Sequence, residues 1–259
     1  MRPDTGRGTP CQLIPSRFRA TVTQPRDREE KRQMKGMMQH RPLRIIDILT
    51  HAAEAFTDQG IISVRDEGDI HHATYPEILR RTAQLAHALD ALGVQMGDRV
   101  ATLAWNGHRH VELYYALAGI GAVCHTVNPR LSPEQMAYIF NHAGDSLLCI
   151  DPSLVPVAEA VAHEAPAGLR YIILSDRAHM PDTTLDALCY EDLLAGQPTT
   201  YDWPEFPEDT ASGLCYTSGT TGHPKGALYS HRSTVLHALT VPLAQTSSFA
   251  AGKRVMPVV

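Results

Sequence analysis

After Pro42, short strand-like segments alternate with helix-like segments, and this alternation restricts the fold more than any other feature of the chain. Strands are indicated by short apolar runs, and helices by apolar residues that recur every three or four positions. Short connections between such units favour parallel strands whose crossover helices pack on the faces of the sheet. The sequence therefore predicts an α/β fold, with a mostly parallel sheet and helices on both of its faces.

The predicted elements have clear boundaries. Thr74 and Glu77 form a capping box at the start of a long helix, and Gly93 ends it. Ser132 caps a later helix, with a proline in the first turn. Strands are predicted at residues 61–65, 70–74, 98–104, 122–127, 147–151, 171–175, 212–216, 227–230 and 254–259. Further helices are predicted at residues 45–56, 108–118, 187–194 and 234–243, and another is predicted to end near residue 163. Residues 199–209 are predicted to form a linker.

Residues 1–36 differ from the rest of the chain because they are rich in arginine and lysine and lack hydrophobic periodicity. Their acidic residues argue against a transit peptide. We expect a disordered extension or a start codon assigned too early, with Met34, Met37 and Met38 as alternative starts. The folded part is predicted to cover residues 37–259.

Composition excludes several classes of protein. The chain has 259 residues, 43% of them hydrophobic, and a net charge of −5, so no basic field for nucleic acid exists. No apolar stretch reaches the ~18–20 residues that a membrane-spanning helix needs. Five widely spaced cysteines without a C-x-x-C pattern favour free thiols and a cytoplasmic location.

Residues 217–226 carry the strongest functional signal, the run Thr-Ser-Gly-Thr-Thr-Gly-His-Pro-Lys-Gly. Glycines let backbone N–H groups approach phosphate oxygens, hydroxyls add donors, and Lys225 adds a compact positive charge. The run fits neither the Walker loop, the Rossmann glycine pattern nor the G-x-S-x-G nucleophile elbow. A plain Ser/Gly linker is disfavoured because the run lies between two apolar strands. The sequence therefore predicts a polyphosphate-binding loop.

Residues 216–226, continuing through 227–233, resemble the AMP-binding signature of adenylate-forming enzymes. This group contains acyl-CoA synthetases, luciferase-like enzymes and peptide-synthetase adenylation domains. Other segments are similar to the medium- and long-chain fatty acyl-CoA ligase branch: Trp105-Asn106, Arg109-His110, and residues 112–116, 125–131, 138–143 and 255–259. The resemblance covers residues 37–259 and implies part of the large N-terminal domain of such an enzyme.

The resemblance implies a two-step reaction and a set of site residues. ATP and a carboxylic acid form an acyl-adenylate and pyrophosphate, and coenzyme A then displaces AMP. The phosphates would be held by the loop residues Thr217, Ser218, Gly219, Thr220, Thr221 and Gly222. Lys225 would add charge during catalysis, and Thr217 would help to ligate Mg²⁺.

The resemblance also sets expectations about what the chain lacks. Segments for adenine, ribose and the adenylation lysine lie further along in relatives, so we expect this chain alone to be inactive. An aryl-CoA ligase, a luciferase-like enzyme and a non-catalytic nucleotide- or partner-binding fragment remain alternatives. The resemblance allows a homodimer and a peripheral contact with membranes.

Histidines and tyrosines elsewhere invite weaker interpretations. His71-His72 and the pair His108 and His110 lack acids or cysteines at zinc spacing, so solvated or core roles are favoured. His231 is expected to support a turn rather than to face a nucleotide. Tyr114-Tyr115 is expected to pack in the core rather than to line an acyl pocket.

Overall fold

A computed structural model describes residues 40–217, 223–241 and 253–256 of the chain. The fold that it shows belongs to one compact unit, Arg41–Val259. The expectation for residues 1–36 lies outside the described residues. So do the predictions for residues 218–222, 242–243 and 257–259.

Helices and strands alternate as the sequence predicts. The strands are β1 Gly60–Val64, β2 Ile70–Thr74, β3 Arg99–Leu103, β4 Val123–Thr126, β5 Leu147–Ile150, β6 Arg170–Ile173, β7 Ala187–Cys189, β8 Ala211–Thr217 and β9 Lys225–Ser230. The helices are α1 Ile45–Ala55, α2 Tyr75–Ala91, α3 His108–Ile120, α4 Pro133–Ala143, α5 Val155–Val161, α6 Tyr190–Leu194 and α7 His231–Thr240. None of the helices in the described part of the chain is long and apolar enough to cross a bilayer.

Seven strands form one sheet in the order β7-β6-β5-β3-β4-β8-β9. Every neighbouring pair is parallel except β8 and β9, which are antiparallel. Strands β1 and β2 form a separate antiparallel hairpin. The prediction of a mostly parallel sheet is confirmed.

The sheet is covered on both faces because its central strands are apolar on both sides. On one face, Val100 and Cys149 pack under α2, α3 and α6. On the other face, Leu103 and Ile150 pack under α4 and α5. Neighbouring residues of one strand thus serve opposite cores, as the two-residue period of a strand requires.

Local signals set the ends of the helices. The Thr74 side chain accepts a hydrogen bond from the Glu77 backbone, and Glu77 returns one to the Thr74 backbone, so the predicted capping box is present. Ser132 and Gln135 form the same arrangement before α4. Helix α4 ends at Gly144, whose φ of 65° is left-handed and therefore suits glycine.

Three predicted elements differ from the structure. Residues 187–194 were expected to form one helix, but Ala187–Cys189 pairs with the edge of β6 and only Tyr190–Leu194 is helical. The predicted strand at 254–259 is absent over residues 254–256, which have no regular structure. Helix α7 begins at His231 rather than at 234, because Ser230 caps it through the Ser233 backbone.

The predicted linker at residues 199–209 has no helix or strand, as expected, but it packs on the fold. Phe206 is buried, and Trp203 contacts the apolar core. Arg44 donates hydrogen bonds to the carbonyl oxygens of Trp203 and Pro204, at 3.4 and 3.0 Å. The segment therefore ties the start of α1 to the sheet that carries the site.

Candidate functional site

The ends of the glycine-rich segment lie on two hydrogen-bonded strands. Thr217 ends β8, Lys225 begins β9, and the two residues face each other across the antiparallel pair. The Thr217 hydroxyl donates to the Lys225 carbonyl oxygen at a long 3.5 Å. The predicted site residues Ser218, Gly219, Thr220, Thr221 and Gly222 lie outside the described residues, between these two anchors.

Lys225 offers an exposed positive charge beside the segment. No carboxylate of the described residues lies within ion-pair distance of its ammonium group. An ammonium group without a protein counter-ion suits a phosphate ligand, whose charge it would neutralise. The sequence placed Lys225 in the loop, whereas the structure makes it the first residue of a strand.

Gly226 allows an aromatic ring to approach the strand closely. A Cβ atom at this position would lie 3.1 Å from Leu214 Cδ1 and 3.2 Å from Tyr216 Cζ. Both distances are shorter than ordinary van der Waals contacts, so a side chain here would displace its neighbours. Glycine at this position therefore lets the Tyr216 ring lie across β9.

The Tyr216 ring lies between two histidines. Its hydroxyl forms a 2.6 Å hydrogen bond with His142 Nδ1, and the two rings are nearly perpendicular. His125 lies on its other side, with ring centroids 5.2 Å apart. Burial raises the pKa of Tyr216, and the nearby Asp145 carboxylate raises it further. The neutral phenol is therefore the stable form at physiological pH.

His125 and Asp145 form a buried pair beneath this tyrosine. His125 Nδ1 lies 2.8 Å from one Asp145 oxygen, and both side chains are fully buried. Burial raises the pKa of Asp145, while the hydrogen bond from His125 opposes that shift. The pair fixes the orientation of the His125 ring and so supports Tyr216 from below.

His223 is the first described residue after the glycine-rich part of the segment. Its ring stacks on Tyr138 of α4, with centroids 4.5 Å apart and planes 18° apart. Tyr138 also stacks on His142, one turn further along α4, at 5.4 Å. Helix α4 therefore contacts residues on both sides of residues 217–222.

A second polar cluster lies away from this segment, among α2, α3, α6 and the β1–β2 turn. Arg81 binds the buried Glu112 through Nε at 2.7 Å, and it binds Glu191 through Nη2 at 3.0 Å. Arg109 binds Glu191 at 2.9 Å and Glu67 at 2.7 Å. We call these five residues the ion-pair network. Because each charged group in it has an opposite partner, the network links the three helices to the β1–β2 turn and offers little free charge to a ligand.

One group of potential metal ligands occurs at the edge of this network. Glu67, Asp176 and His179 offer ligand atoms within 4.8 Å of one another. His179 Nδ1 already hydrogen bonds to Asp176 at 2.7 Å, and Arg109 already binds Glu67. The hydrogen bond and the ion pair therefore explain why these three side chains lie close together.

The histidines singled out in the sequence have structural contacts. His71 stacks on His108 with ring centroids 4.1 Å apart, and burial lowers the pKa of His108 to about 2. His110 hydrogen bonds to Thr102 Oγ1 at 3.0 Å. His231 is buried, and its Nδ1 accepts a hydrogen bond from the Ile45 backbone. The expected structural role of His231 is therefore confirmed.

The two adjacent tyrosines on α3 behave differently. Tyr115 packs against the core around α1, as expected, but Tyr114 is 43% exposed. The prediction that Tyr114 packs in the core is therefore wrong. Successive residues of a helix point about 100° apart, so Tyr115 can face the core while Tyr114 points towards solvent.

Sequence reasoning did not assign roles to Tyr138, His142, His223 or the ion-pair network. The four-residue spacing of Tyr138 and His142 places both rings on one face of α4 and was a usable signal. Glu112 on the buried face of α3 was another, since a buried carboxylate requires partners. The partners of Glu112 are distant in sequence, so the pattern alone did not predict them.

Comparisons with known proteins identify the family of the chain. Residues 49–258 match the family described as AMP-binding enzyme. The chain is 43% identical over 227 residues to a 3-methylmercaptopropionyl-CoA ligase of Ruegeria lacuscaerulensis, covering 87% of this chain and 42% of that protein. It is 40% identical, with the same coverage, to a medium-chain-fatty-acid–CoA ligase of Ectopseudomonas oleovorans. The chain thus spans less than half the length of these relatives.

The fold is also that of solved members of this group. The crystal structure of the anthranilate CoA ligase AuaEII in complex with anthranoyl-AMP superposes with a TM-score of 0.67 at 23% identity. The superposition covers 78% of this chain and 37% of that chain. At this identity the likeness concerns the fold alone. Because the family match covers most of the chain, the chain belongs to the AMP-binding enzyme family.

Proposed function

We propose that the protein carrying this chain is an AMP-forming acid–CoA ligase that acts on a medium- or long-chain fatty acid. ATP and the acid would form an acyl-adenylate and pyrophosphate, and coenzyme A would then take the acyl group. One observation carries the proposal. Thr217 and Lys225 face each other across the signature segment of a chain about 40% identical to a medium-chain fatty-acid ligase.

The proposed site residues would act mainly through charge. A carboxylate attacking the α-phosphate meets an anionic centre, so the reaction needs neutralisation of phosphate charge and in-line positioning. In our proposal, Thr217, Ser218, Gly219, Thr220, Thr221 and Gly222 hold the β- and γ-phosphates with hydroxyl and backbone N–H groups. The ammonium group of Lys225, which has no carboxylate partner among the described residues, adds positive charge from the neighbouring strand.

Thr217 is the residue that we propose for Mg²⁺. Among the described residues, its hydroxyl has a long 3.5 Å contact to the Lys225 carbonyl, and its side chain is exposed, so the oxygen can turn towards a ligand. Mg²⁺ prefers such oxygen donors and binds nucleotides through one or two protein oxygens. When bound, the ion supplies neutralisation of the phosphate charge.

A second acid is a candidate because of one relative. The Ruegeria protein, 43% identical, is a 3-methylmercaptopropionyl-CoA ligase, so a short thioether acid competes with a fatty acid as substrate. An aryl-CoA ligase, a luciferase-like enzyme and a non-catalytic binding fragment are less favoured by these two relatives. We keep them as outcomes of the test.

Acid-dependent exchange of radiolabelled pyrophosphate into ATP tests the adenylation step. The complete protein that contains this chain is assayed with decanoate, 3-methylmercaptopropionate and benzoate, and acyl-CoA is measured separately. We expect exchange and acyl-CoA formation with decanoate. Exchange with benzoate alone would indicate an aryl-CoA ligase, and exchange without acyl-CoA a luciferase-like second step. ATP binding without any exchange would contradict an enzymatic role.

We further propose a cytoplasmic enzyme whose partners are its small-molecule substrates. Its four described cysteines are free thiols, which suits a reducing compartment. A homodimer and a peripheral membrane contact remain part of the proposal by family resemblance. Light scattering of the purified protein would test the dimer, and flotation with phospholipid vesicles would test the membrane contact.

A further inference from the structure

Helix α4 presents two rings towards the glycine-rich segment. Tyr138 and His142 are separated by four residues, so their side chains lie on the same face of the helix. Their ring centroids are 5.4 Å apart and their planes are 29° apart. The helix is well anchored, since Ser132 and Gln135 cap its start and Met136, Ile139 and Phe140 are buried in the core. The two rings therefore start from a rigid element.

His142 holds the strand that leads into the segment. Its Nδ1 atom forms the 2.6 Å hydrogen bond with the hydroxyl of Tyr216, the residue just before Thr217. The opposite side of the Tyr216 ring is bounded by His125, which Asp145 orients. Tyr216 is thus fixed at its hydroxyl and along its ring.

Tyr138 holds the part of the chain that leaves the segment. Its ring is nearly parallel to that of His223, with centroids 4.5 Å apart. The next residue, Pro224, is buried, and Lys225 follows at the start of β9. Stacking on Tyr138 therefore restrains the chain two residues before the lysine that we assign to the phosphates.

We propose that Tyr138, His142, Tyr216 and His223 form an aromatic clamp that holds the facing ends of β8 and β9, with Thr217 and Lys225, in position for the triphosphate. These are positioning residues, since none of them needs to touch the ligand. The inference deepens the proposed function and rests on it for the identity of the ligand. Nothing in the comparisons assigns this role to α4.

The physical reason for such a clamp is the conformational entropy of the two strand ends. Chain that becomes ordered only when a ligand binds loses backbone and side-chain freedom at that moment. Restraining both strand ends before binding lowers that cost, so the ligand binds more tightly without any new contact to it. The clamp adds to the β8–β9 pairing that already places Thr217 opposite Lys225.

Hydrogen–deuterium exchange on the ligand-free 259-residue chain tests the clamp without reference to any reaction. Tyr138→Leu removes both stacking contacts, and Tyr138→Phe keeps the rings. We expect Tyr138→Leu to speed amide exchange at His223, Lys225 and Gly226 by about tenfold, and Tyr138→Phe to leave it unchanged. Unchanged exchange in a folded Tyr138→Leu variant would overturn the clamp.

Tyr201→Leu is the matched control for this variant. Tyr201 also packs on a histidine, His87, with centroids 4.8 Å apart, but it lies against the core on the other face of the sheet. The same loss of a tyrosine should leave exchange at residues 223–226 unchanged. An equal rise in the Tyr201→Leu control would show a general loosening of the fold and overturn the clamp.

Removing the hydrogen bond gives a second route that does not depend on the stacking. His142→Phe and Tyr216→Phe each keep a ring and remove the same bond, so the double variant should exchange no faster than either single variant. Additive effects would overturn the assignment of the Tyr216–His142 bond to the clamp.

The link to the ligand is measured by calorimetry with ATP and Mg²⁺, and with inorganic tripolyphosphate as a second probe. We expect Tyr138→Leu to weaken the binding of both probes about fivefold to tenfold. Tyr138→Phe should bind both probes with nearly the original affinity. Faster exchange with unchanged affinity would overturn the role in phosphate binding. If the original chain binds neither probe, the proposed function fails at this site, while the exchange experiment still decides whether α4 restrains the segment.

Discussion

The ion-pair network and the glycine-rich segment differ in what their charges contact. Glu112 has no exposed surface and binds both Arg81 and the hydroxyl of Tyr190, at 2.7 and 2.6 Å. Lys225 is exposed and has no carboxylate partner among the described residues. Charged groups that satisfy one another stabilise a fold, whereas a charge without a partner is available to a ligand. The difference distinguishes the ion-pair network from the candidate binding site.

Gly119 and Gly226 also differ in what they serve, since one lies in the core and the other lies beside the candidate site. A Cβ atom at Gly119 in α3 would lie 2.4 Å from the Trp203 ring, so this glycine lets the linker pack on the helix. At Gly226 the shortest distance would be 3.1 Å, and the neighbour is the flexible end of Leu214. The first glycine is required by the core, and the second by the approach of a ring to the candidate site.

The largest effect should follow from breaking the ion-pair network at its buried centre. Glu112→Ala removes the buried partner of Arg81, which keeps Glu191, and takes the hydrogen-bond acceptor from the Tyr190 hydroxyl, so we expect a loss of about 3–5 kcal/mol in the free energy of unfolding. Urea denaturation measures this loss. Affinity for tripolyphosphate should stay within about twofold in the protein that remains folded. A stability loss below ~1 kcal/mol would mean that the network is not a structural cluster.

A smaller loss should follow from filling the space at Gly119. Gly119→Ala forces Trp203 away from α3, and we expect a loss of about 1–3 kcal/mol in stability because the core cannot accept the extra methyl group. The matched change Gly107→Ala, at a glycine with open space around its Cβ position, should cost less. Equal losses at the two positions would refute the packing of Trp203 as the cause.

His231 makes the stability of the fold depend on pH, because it is buried although it lies close to the candidate site in the sequence. Burial, helped by the charge of Arg44, lowers its pKa to about 4, below the ~6.5 of an unfolded histidine. Between these values the unfolded chain binds more protons, so the contribution of His231 to stability should grow as pH rises from ~4 to ~6.5. Urea denaturation across this range should show a flatter profile for His231→Gln. Identical profiles would contradict the burial of a neutral imidazole.

Much of the fold could be predicted because its signals are local. The capping residues Thr74 and Ser132 define helix starts by contacts within one turn, and apolar periodicity distinguishes strands from helices. The strand Ala187–Cys189 could not be predicted in this way, because only pairing with β6 makes three residues a strand. The absent strand at 254–256 is the opposite case, in which Val255 and Met256 are apolar but do not pair with any strand of the described residues.

The candidate site was predicted in part for the same reason. Thr217 and Lys225 belong to one continuous signature, so their proximity was readable in the sequence. The contacts of Tyr138 with His223 and of His142 with Tyr216 join residues that are more than seventy positions apart. Such contacts depend on how α4 packs beside β8, and no local sequence pattern predicts this packing.

The most direct test of the account is calorimetric titration of the chain with ATP and Mg²⁺, comparing Lys225→Ala with Lys253→Ala. Both lysines are exposed, but only Lys225 faces Thr217 across the signature segment. We predict that Lys225→Ala weakens binding about tenfold, a change of about 1.4 kcal/mol, and that Lys253→Ala leaves it unchanged. Equal affinities for the two variants would contradict the assignment of this segment to the triphosphate.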